Sequence, residues 1–382
     1  YAYHLDAGKF AVLLNQHAVD NLGVEHIIDN VVDATLDTQG YISDVICESH
    51  GALTADMCVD CTGFASRLLG GKLQVPFTDI SDTLLTNYAV TLRAEYDDPQ
   101  APISGYTQST AQEAGWIWEI PLENRRGIGH VYSDRHMDHE TAERKLREYV
   151  GDLDGKYTSR KIPMKIGYRQ KFWYKNCVAI GLSAAFVEPL EASAIYLVEA
   201  SANMLVEQYP VNRQAMLFAE QKFNQSFKFR WQKTIDFIKL HYVLSQRDDS
   251  AFWRDNKMSD TIPESLQNRL DNWRYQIPSK YDFDNIFDPF VQESFQFVLF
   301  GMGFKPEIDF TKTQFSMLEQ AQMKFAEVDK IRQSAISLCL LPFLAWQNVA
   351  TANDNGAIKL PELGTVASSS LTIEKEIRIG KA

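Results

Sequence analysis

A chain of 382 residues is about two and a half times the ~150 of a typical domain, so one large two-part unit or two domains is expected. Hydrophobic residues at 45% and charged residues at 23% give a globular chain with a sizeable core, which excludes disorder, collagen-like repeats and coiled coils. Lys+Arg 38 against Asp+Glu 50 leaves a net charge of −12, which repels phosphate backbones and anionic lipid, so neither nucleic acid nor membrane is an expected partner.

The first element in chain order is a helix from Phe10 to Gly23, with apolar residues at Phe10, Leu13, Leu14, Ala18 and Leu22 and a glycine stop. The period then changes to two. Val24–Ile28, Val31–Leu36 and Ile42–Ile46, separated by turn residues, predict a small antiparallel meander. Ala55–Gly63 is a further apolar strand running into a glycine. Strand patterns continue over Leu84–Arg93 and Gly115–Pro121, a polar helix covers His139–Val150, and Trp173–Gly181 reads as another strand. After Ile195 helices follow at Ile195–Tyr209, Arg213–Leu244, Glu264–Tyr275, Asp288–Phe300 and Gln314–Leu341. From Thr351 the composition turns small and polar, as in a loosely held tail.

The five cysteines, Cys47, Cys58, Cys61, Cys177 and Cys339, are odd in number and scattered, which predicts a reducing compartment without disulfides. The longest apolar run, Ile336 to Trp346, is about half of the ~20 residues that span a bilayer. With no secretion signal, the expected location is cytoplasmic. Residue 1 is Tyr, and the chain enters a folded-looking pattern at once, like the middle of a longer sequence.

Candidate chemistry concentrates in Ala179–Ile195. An apolar strand runs into Gly181, small residues follow, and Glu188-Pro-Leu-Glu191 precedes an apolar helix. Ser193 is a natural N-cap, so the first N–H groups of that helix lack intrahelical partners and face outward as anion donors. Spacing alone favours an ordinary strand–loop–helix crossover. In Gly115-Trp-Ile-Trp-Glu-Ile-Pro121, strand alternation puts Trp116, Trp118 and Ile120 on one face. Two such rings are either core packing or a rigid wall to a site. Asp60-Cys-Thr-Gly63 ends a strand in a glycine turn that a cofactor could approach. The Cys58/Cys61 spacing lies inside the strand pattern and has no second pair, so no metal is expected there; Asp134–His139 reads as a polar loop before a helix.

These residues together resemble the flavin-dependent halogenases of the tryptophan halogenase family. Gly115–Pro121 fits that family's Gly-Trp-x-Trp-x-Ile-Pro motif, Phe186–Ile195 looks like its Glu-Pro-Leu-Glu-Ser-Thr-Gly-Ile loop, and Tyr3–Asp6 with Ala55–Phe64 is similar to its flavin core. The similarity extends from the first residue to about Phe304. It implies an α+β or α/β fold: an FAD-binding, aromatic-hydroxylase-like module with mixed sheets over 1–192, a helical substrate domain over 193–350 and a tail over 351–382. The implied reaction uses reduced FAD from a separate flavin reductase, O₂ and chloride or bromide. A flavin hydroperoxide oxidises the halide, and the resulting hypohalous acid halogenates an electron-rich, indole-like ring.

The resemblance makes Glu191 the catalytic glutamate, Ser193 and Ala194 the halide-holding positions, and Trp116 and Trp118 the active-site wall. It places Val31, Asp60, Gly63, Gly181, Leu182, Pro189 and Ile195 against FAD. A homodimer is the oligomer to test. Ala192-Ser193-Ala194 replaces the family's Ser-Thr-Gly, and the family's Gly-x-Gly-x-x-Gly and lysine fall in an N-terminal third that this chain does not show. Its clamp for a free amino acid has no evident counterpart within Lys280–Phe290, so a simpler indole or a tethered aromatic stands beside free tryptophan. A flavin-dependent aromatic hydroxylase and a non-catalytic fragment are the alternative readings.

Overall fold

Helix α1 (Ala7–Leu22) begins where the Asp6 carboxylate accepts the N–H groups of Gly8 and Lys9, and it stops at Gly23, whose φ of 68° only glycine adopts freely. It starts three residues before the apolar spacing places it, because the polar cap lies outside that spacing. The computed structural model describes residues 4–98, 100, 102–283 and 287–307, with single positions at 323, 326, 327 and 330. The expected helix at 314–341 and the tail at 351–382 therefore lie outside the described residues, the four single helical positions apart.

The meander forms one strand later than its alternation suggested. Residues 24–30 form no strand, and β1 (Val31–Leu36), β2 (Ile42–Cys47) and β3 (Gly51–Thr54) make the antiparallel sheet. The reason is local: the Asp29 carboxylate accepts the N–H groups of Ser49 and His50, so this stretch supports the β2–β3 turn instead of pairing as a strand. After β4 (Cys58–Asp60) the chain makes a single π-helical turn over Arg67–Lys72, wound on Asp60, which accepts from Leu68 N–H at 3.0 Å and Leu69 N–H at 2.8 Å.

β5 (Phe77–Asp79), β6 (Tyr88–Ala94), β7 (Gln108–Gln112), β8 (Gly115–Pro121) and β9 (Arg126–Tyr132) follow, then α2 (His139–Val150), capped by Asp138. β10 (Arg160–Pro163) and β11 (Gly167–Arg169) lead to β12 (Trp173–Tyr174) and β13 (Cys177–Ala179). These two are a hairpin turned at Lys175 and not the single strand expected, because Lys175 takes φ 57°. β14 (Ala185–Phe186) precedes the helices α3 (Ala194–Glu207), α4 (Arg213–Leu244), α5 (Ala251–Asp255), α6 (Glu264–Trp273) and α7 (Gln292–Gly301).

The largest sheet is antiparallel in the order β10-β6-β9-β8-β7, with Ala142 and Leu146 of α2 buried among the core residues. Two three-stranded sheets, β14-β11-β5 and β12-β13-β4, complete an α+β architecture. β4 and β13 are parallel, with Cys58 opposite Cys177 and Asp60 opposite Ala179. Residues 1–308 form one compact unit. Its main core joins the sheets to α3 and to one face of α4 from Met216 to Tyr242. A second cluster holds Phe237, Leu240 and Leu244 of α4 against Leu266 and Leu270 of α6 and Phe295 and Leu299 of α7. Serving two cores, α4 is buried almost all round from Arg230 onward. Among the described residues no helix is long and apolar enough to cross a membrane.

Candidate functional site

The parallel strands β4 and β13 end side by side and each opens into a glycine turn, Gly63 at φ 68° and Gly181 at φ 71°. The crevice beyond the carboxyl ends of parallel strands is where α/β sheets bind ligands. The two turns are tied together, since the Asp60 carbonyl accepts the Ile180 N–H at 3.1 Å and the Ser183 hydroxyl. A methyl group at Gly63 would meet nothing within 4 Å, so this backbone lies open to a ligand.

A cleft of about 470 Å³ lies against the second turn. Its walls include Gly181, Leu182, Phe186, Pro189, Ser193, Ala194 and Ile195, with Phe10 of α1 at its edge. Leu182 is 44% exposed and Ile195 64%, so apolar side chains stand open where the core would normally hide them. Such a surface, edged by glycine backbone, suits a flat ring system. Ser193 occupies the N-cap position of α3 but has helical dihedrals (φ −74°, ψ −9°), and its side chain makes no capping bond. The opening N–H groups of α3 are therefore left to an outside acceptor, and no acid stands in its first turn. Ala192 holds φ 49°, a left-handed conformation uncommon for a residue with a Cβ and typical of constrained functional turns.

Glu191 points the other way, toward α4. Its Oε1 lies 3.0 Å from Nε2 of His241, and His241 Nδ1 bonds the Phe237 carbonyl at 2.9 Å. With Nδ1 donating to a carbonyl, a short contact between Nε2 and a carboxylate requires that Nε2 carry a proton too. Burial opposes the imidazolium, but the hydrogen bond and charge of Glu191, the Phe237 carbonyl and the charge of Glu188 outweigh it and raise the ring above its usual 6.5.

Asp60 is fully buried, and its oxygens are taken by Thr62, Ser66, Leu68 and Leu69, so its carboxylate shapes the Gly63 turn from inside. Val31 starts β1 at a register shift and is not among the residues that line the cleft. Trp116 is buried, with its ring centroid 6.0 Å from that of Trp118, and neither lines the cleft. Trp116 Nε1 instead donates to Glu188 Oε2 at 2.9 Å. The sequence reading missed this role of Glu188, and with it His241, Tyr242 and Lys239. One signal was available, an acid directly following the apolar run Ala184–Val187.

Glu188 is 1% exposed, and its Oε2 also accepts from Thr86 at 2.8 Å and Tyr242 at 2.6 Å. Burial pushes its carboxyl up, against the pull of those three donors and of the Lys239 charge. Lys239, itself fully buried, is lowered by burial to about 8 despite the opposing charges of Glu188 and Asp260. Among the described residues no group of three or more His, Cys, Asp or Glu is placed to hold a metal ion, and the described cysteines are unpaired.

The tryptophan halogenase family model matches residues 1–314. Tryptophan 6-halogenase SttH of Streptomyces toxytricini is 38% identical over 308 residues, 79% of this chain and 57% of that protein. The crystal structure of a tryptophan halogenase from Shewanella frigidimarina NCIMB 400 superposes with a TM-score of 0.83 at 41% identity, covering 87% of this chain and 63% of that one. A tryptophan C-6 flavin-dependent halogenase from taromycin biosynthesis gives 0.82 at 36%, covering 88% and 66%. In each case the chain spans less than two thirds of the relative's own length. With the two glycine turns, the uncapped helix start and the Glu191 turn all present, this chain belongs to the tryptophan halogenase family.

Proposed function

We propose that this chain carries the halide- and substrate-facing half of a flavin-dependent halogenase, acting on an electron-rich, indole-like aromatic with reduced FAD delivered by a separate reductase. The observation that carries the reading is the two-sided turn at 188–195. One side opens the N–H groups of Ser193 and Ala194 beside the apolar cleft, and the other presents Glu191 to α4.

In this reading Gly63, Gly181, Leu182, Pro189 and Ile195 seat the flavin ring, with Asp60 and Val31 supporting from behind. The chemistry supplied by bound reduced FAD is the two-electron reduction of O₂, which yields an oxidant for the halide. Chloride or bromide is held by the backbone of Ser193 and Ala194, where the helix end offers partial positive charge. Glu191 orients the active halogen species and stabilises the positive charge that develops on the aromatic ring. His241 keeps that carboxylate in place, and the rigid Trp116/Trp118 pair backs the partition. The division at 192/193 is functional in this proposal, since α3 shares its core with the sheets.

The test is product formation by the protein containing this chain, given FAD, a flavin reductase, bromide and indole. Brominated indole that disappears without bromide supports the reading. A hydroxylated product would favour an aromatic hydroxylase, and no product would leave the chain a non-catalytic fragment; either outcome overturns the proposal.

A further inference from the structure

Glu188 and Glu191 stand three residues apart and reach consecutive residues of α4. Oε2 of Glu188 accepts the Tyr242 hydroxyl at 2.6 Å, and Oε1 of Glu191 lies 3.0 Å from Nε2 of His241. The Pro189–Glu191 turn between them is thereby fastened to the helix at both ends. Glu188 also gathers Thr86, ahead of β6, and Trp116 of β8, so one oxygen ties the large sheet to α4. The indole N–H can only donate, and Glu188 is the acceptor it finds.

These three donors would be served equally well by the oxygen of a glutamine. What glutamine would lack is the charge, and the site bears a cost for having it: Glu188 is buried, and its Oε1 meets no protein partner. A carboxyl standing where an amide would serve the same donors leaves its charge as the distinguishing property, and that charge raises the His241 ring. The Glu188 charge acts on two groups of α4, Lys239 and His241, and the titratable groups acting on the His241 ring are Glu191 and Glu188, both on the turn. The Glu191 and Phe237 contacts of His241 coexist only while the ring is protonated, because a neutral imidazole donating to Phe237 would turn a lone pair toward the carboxylate.

We propose that Glu188 is a positioning residue: it pins the 188–191 turn to α4 through Tyr242 and adds its charge to that of Glu191 in favouring the protonated His241 ring, so that Glu191 is held in one place. The inference deepens the halogenase reading and rests on it for the kinetic arm of its test alone.

The structural arm follows the His241 ring by NMR titration in the purified chain, with no turnover required. Glu188→Gln, which keeps all three acceptor contacts, is expected to lower the His241 titration midpoint. Tyr242→Phe, which alters no charge but frees one end of the turn, is expected to lower it by less. An unchanged midpoint in Glu188→Gln overturns the proposal. The kinetic arm measures bromination: Glu188→Gln should lower kcat about tenfold with the aromatic's KM unmoved, as expected of a misplaced catalytic group. In a Glu191→Gln background the same substitution should have little further effect, since Glu188 acts through Glu191. Fully additive losses in that cycle would also refute it. If the unaltered protein forms no halogenated product, the function reading fails, and the NMR arm still decides the role of Glu188.

Discussion

Glu191 is a partly exposed carboxylate whose oxygen meets one charged partner, His241, and that pairing gives two predictions at the scale of single residues. Stabilising a charge that exists only in the transition state lowers the barrier without tightening substrate binding. Glu191→Gln keeps the shape and removes the charge, so kcat for bromination should fall by roughly two orders of magnitude, the scale of losing one electrostatic stabiliser, while flavin binding persists. Near-normal turnover would mean that the residue only caps a helix approach. The second prediction concerns pH. Because the folded His241 ring titrates above 6.5, protonation favours the fold. Its contribution is fully present below the unfolded value and disappears as pH rises through the raised folded one. The urea midpoint of the unaltered protein should therefore exceed that of Glu191→Gln by more near pH 5.5 than near pH 8.5. A gap that widens with pH would contradict the sign.

At the scale of elements, β8 is shaped by its neighbour. Trp118 lies opposite Gly129 on β9, and a Cβ built there would stand 2.2 Å from the indole ring. Gly129→Ala should thus push Trp118 from its seat and destabilise the fold by about 2 kcal/mol, within the range for overpacking. Pairing it with Trp118→Ala should cost less than the two losses summed; strict additivity, read by thermal melting, would refute the contact. The elements that sequence revealed are those whose signals are local. β8 covers Gly115–Pro121 as the alternation placed it, α2 covers His139–Val150 and α4 runs Arg213–Leu244 to the residue. The strand expected at Val24–Ile28 failed because alternation says nothing about whether a neighbour is there to pair. The Glu188 cluster was invisible for a related reason: its donors Thr86, Trp116 and Tyr242 stand 102, 72 and 54 residues away, and no spacing rule spans such gaps. The candidate site was drawn from the resemblance and its motifs, which pointed to the Glu191 turn but not to what fastens it.

At the scale of the whole molecule, stability is spread unevenly over the unit formed by residues 1–308. β8 and β9 lie inside the five-stranded sheet, flanked on both sides, with Ile117, Ile128 and Val131 among the most deeply buried side chains. The second half of α4 is enclosed by two clusters, so opening it exposes both. Helix α1 is the opposite case. None of its residues is buried, and Leu13, Leu14 and Leu22 stand open to solvent, so it is held mainly by its cap at Asp6, which pairs with Arg125 at 2.6 Å, and by its glycine stop. Helices stabilised by little beyond their own hydrogen bonds are marginal at this length, because nucleation is costly and packing supplies most helical stability. Local opening should therefore cost far less in α1 than in the sheet. Native-state hydrogen exchange of this chain is expected to show α1 amides protected at least about 10²-fold less than those of β8, β9 and residues 234–242 of α4. The cleft provides an internal check, since Phe10 of α1 lies at its edge. A flat aromatic ligand that fills the cleft should slow exchange in α1 before it alters exchange in β8. Protection of α1 equal to that of the sheet without ligand would show that this helix is held by contacts its burial does not reveal.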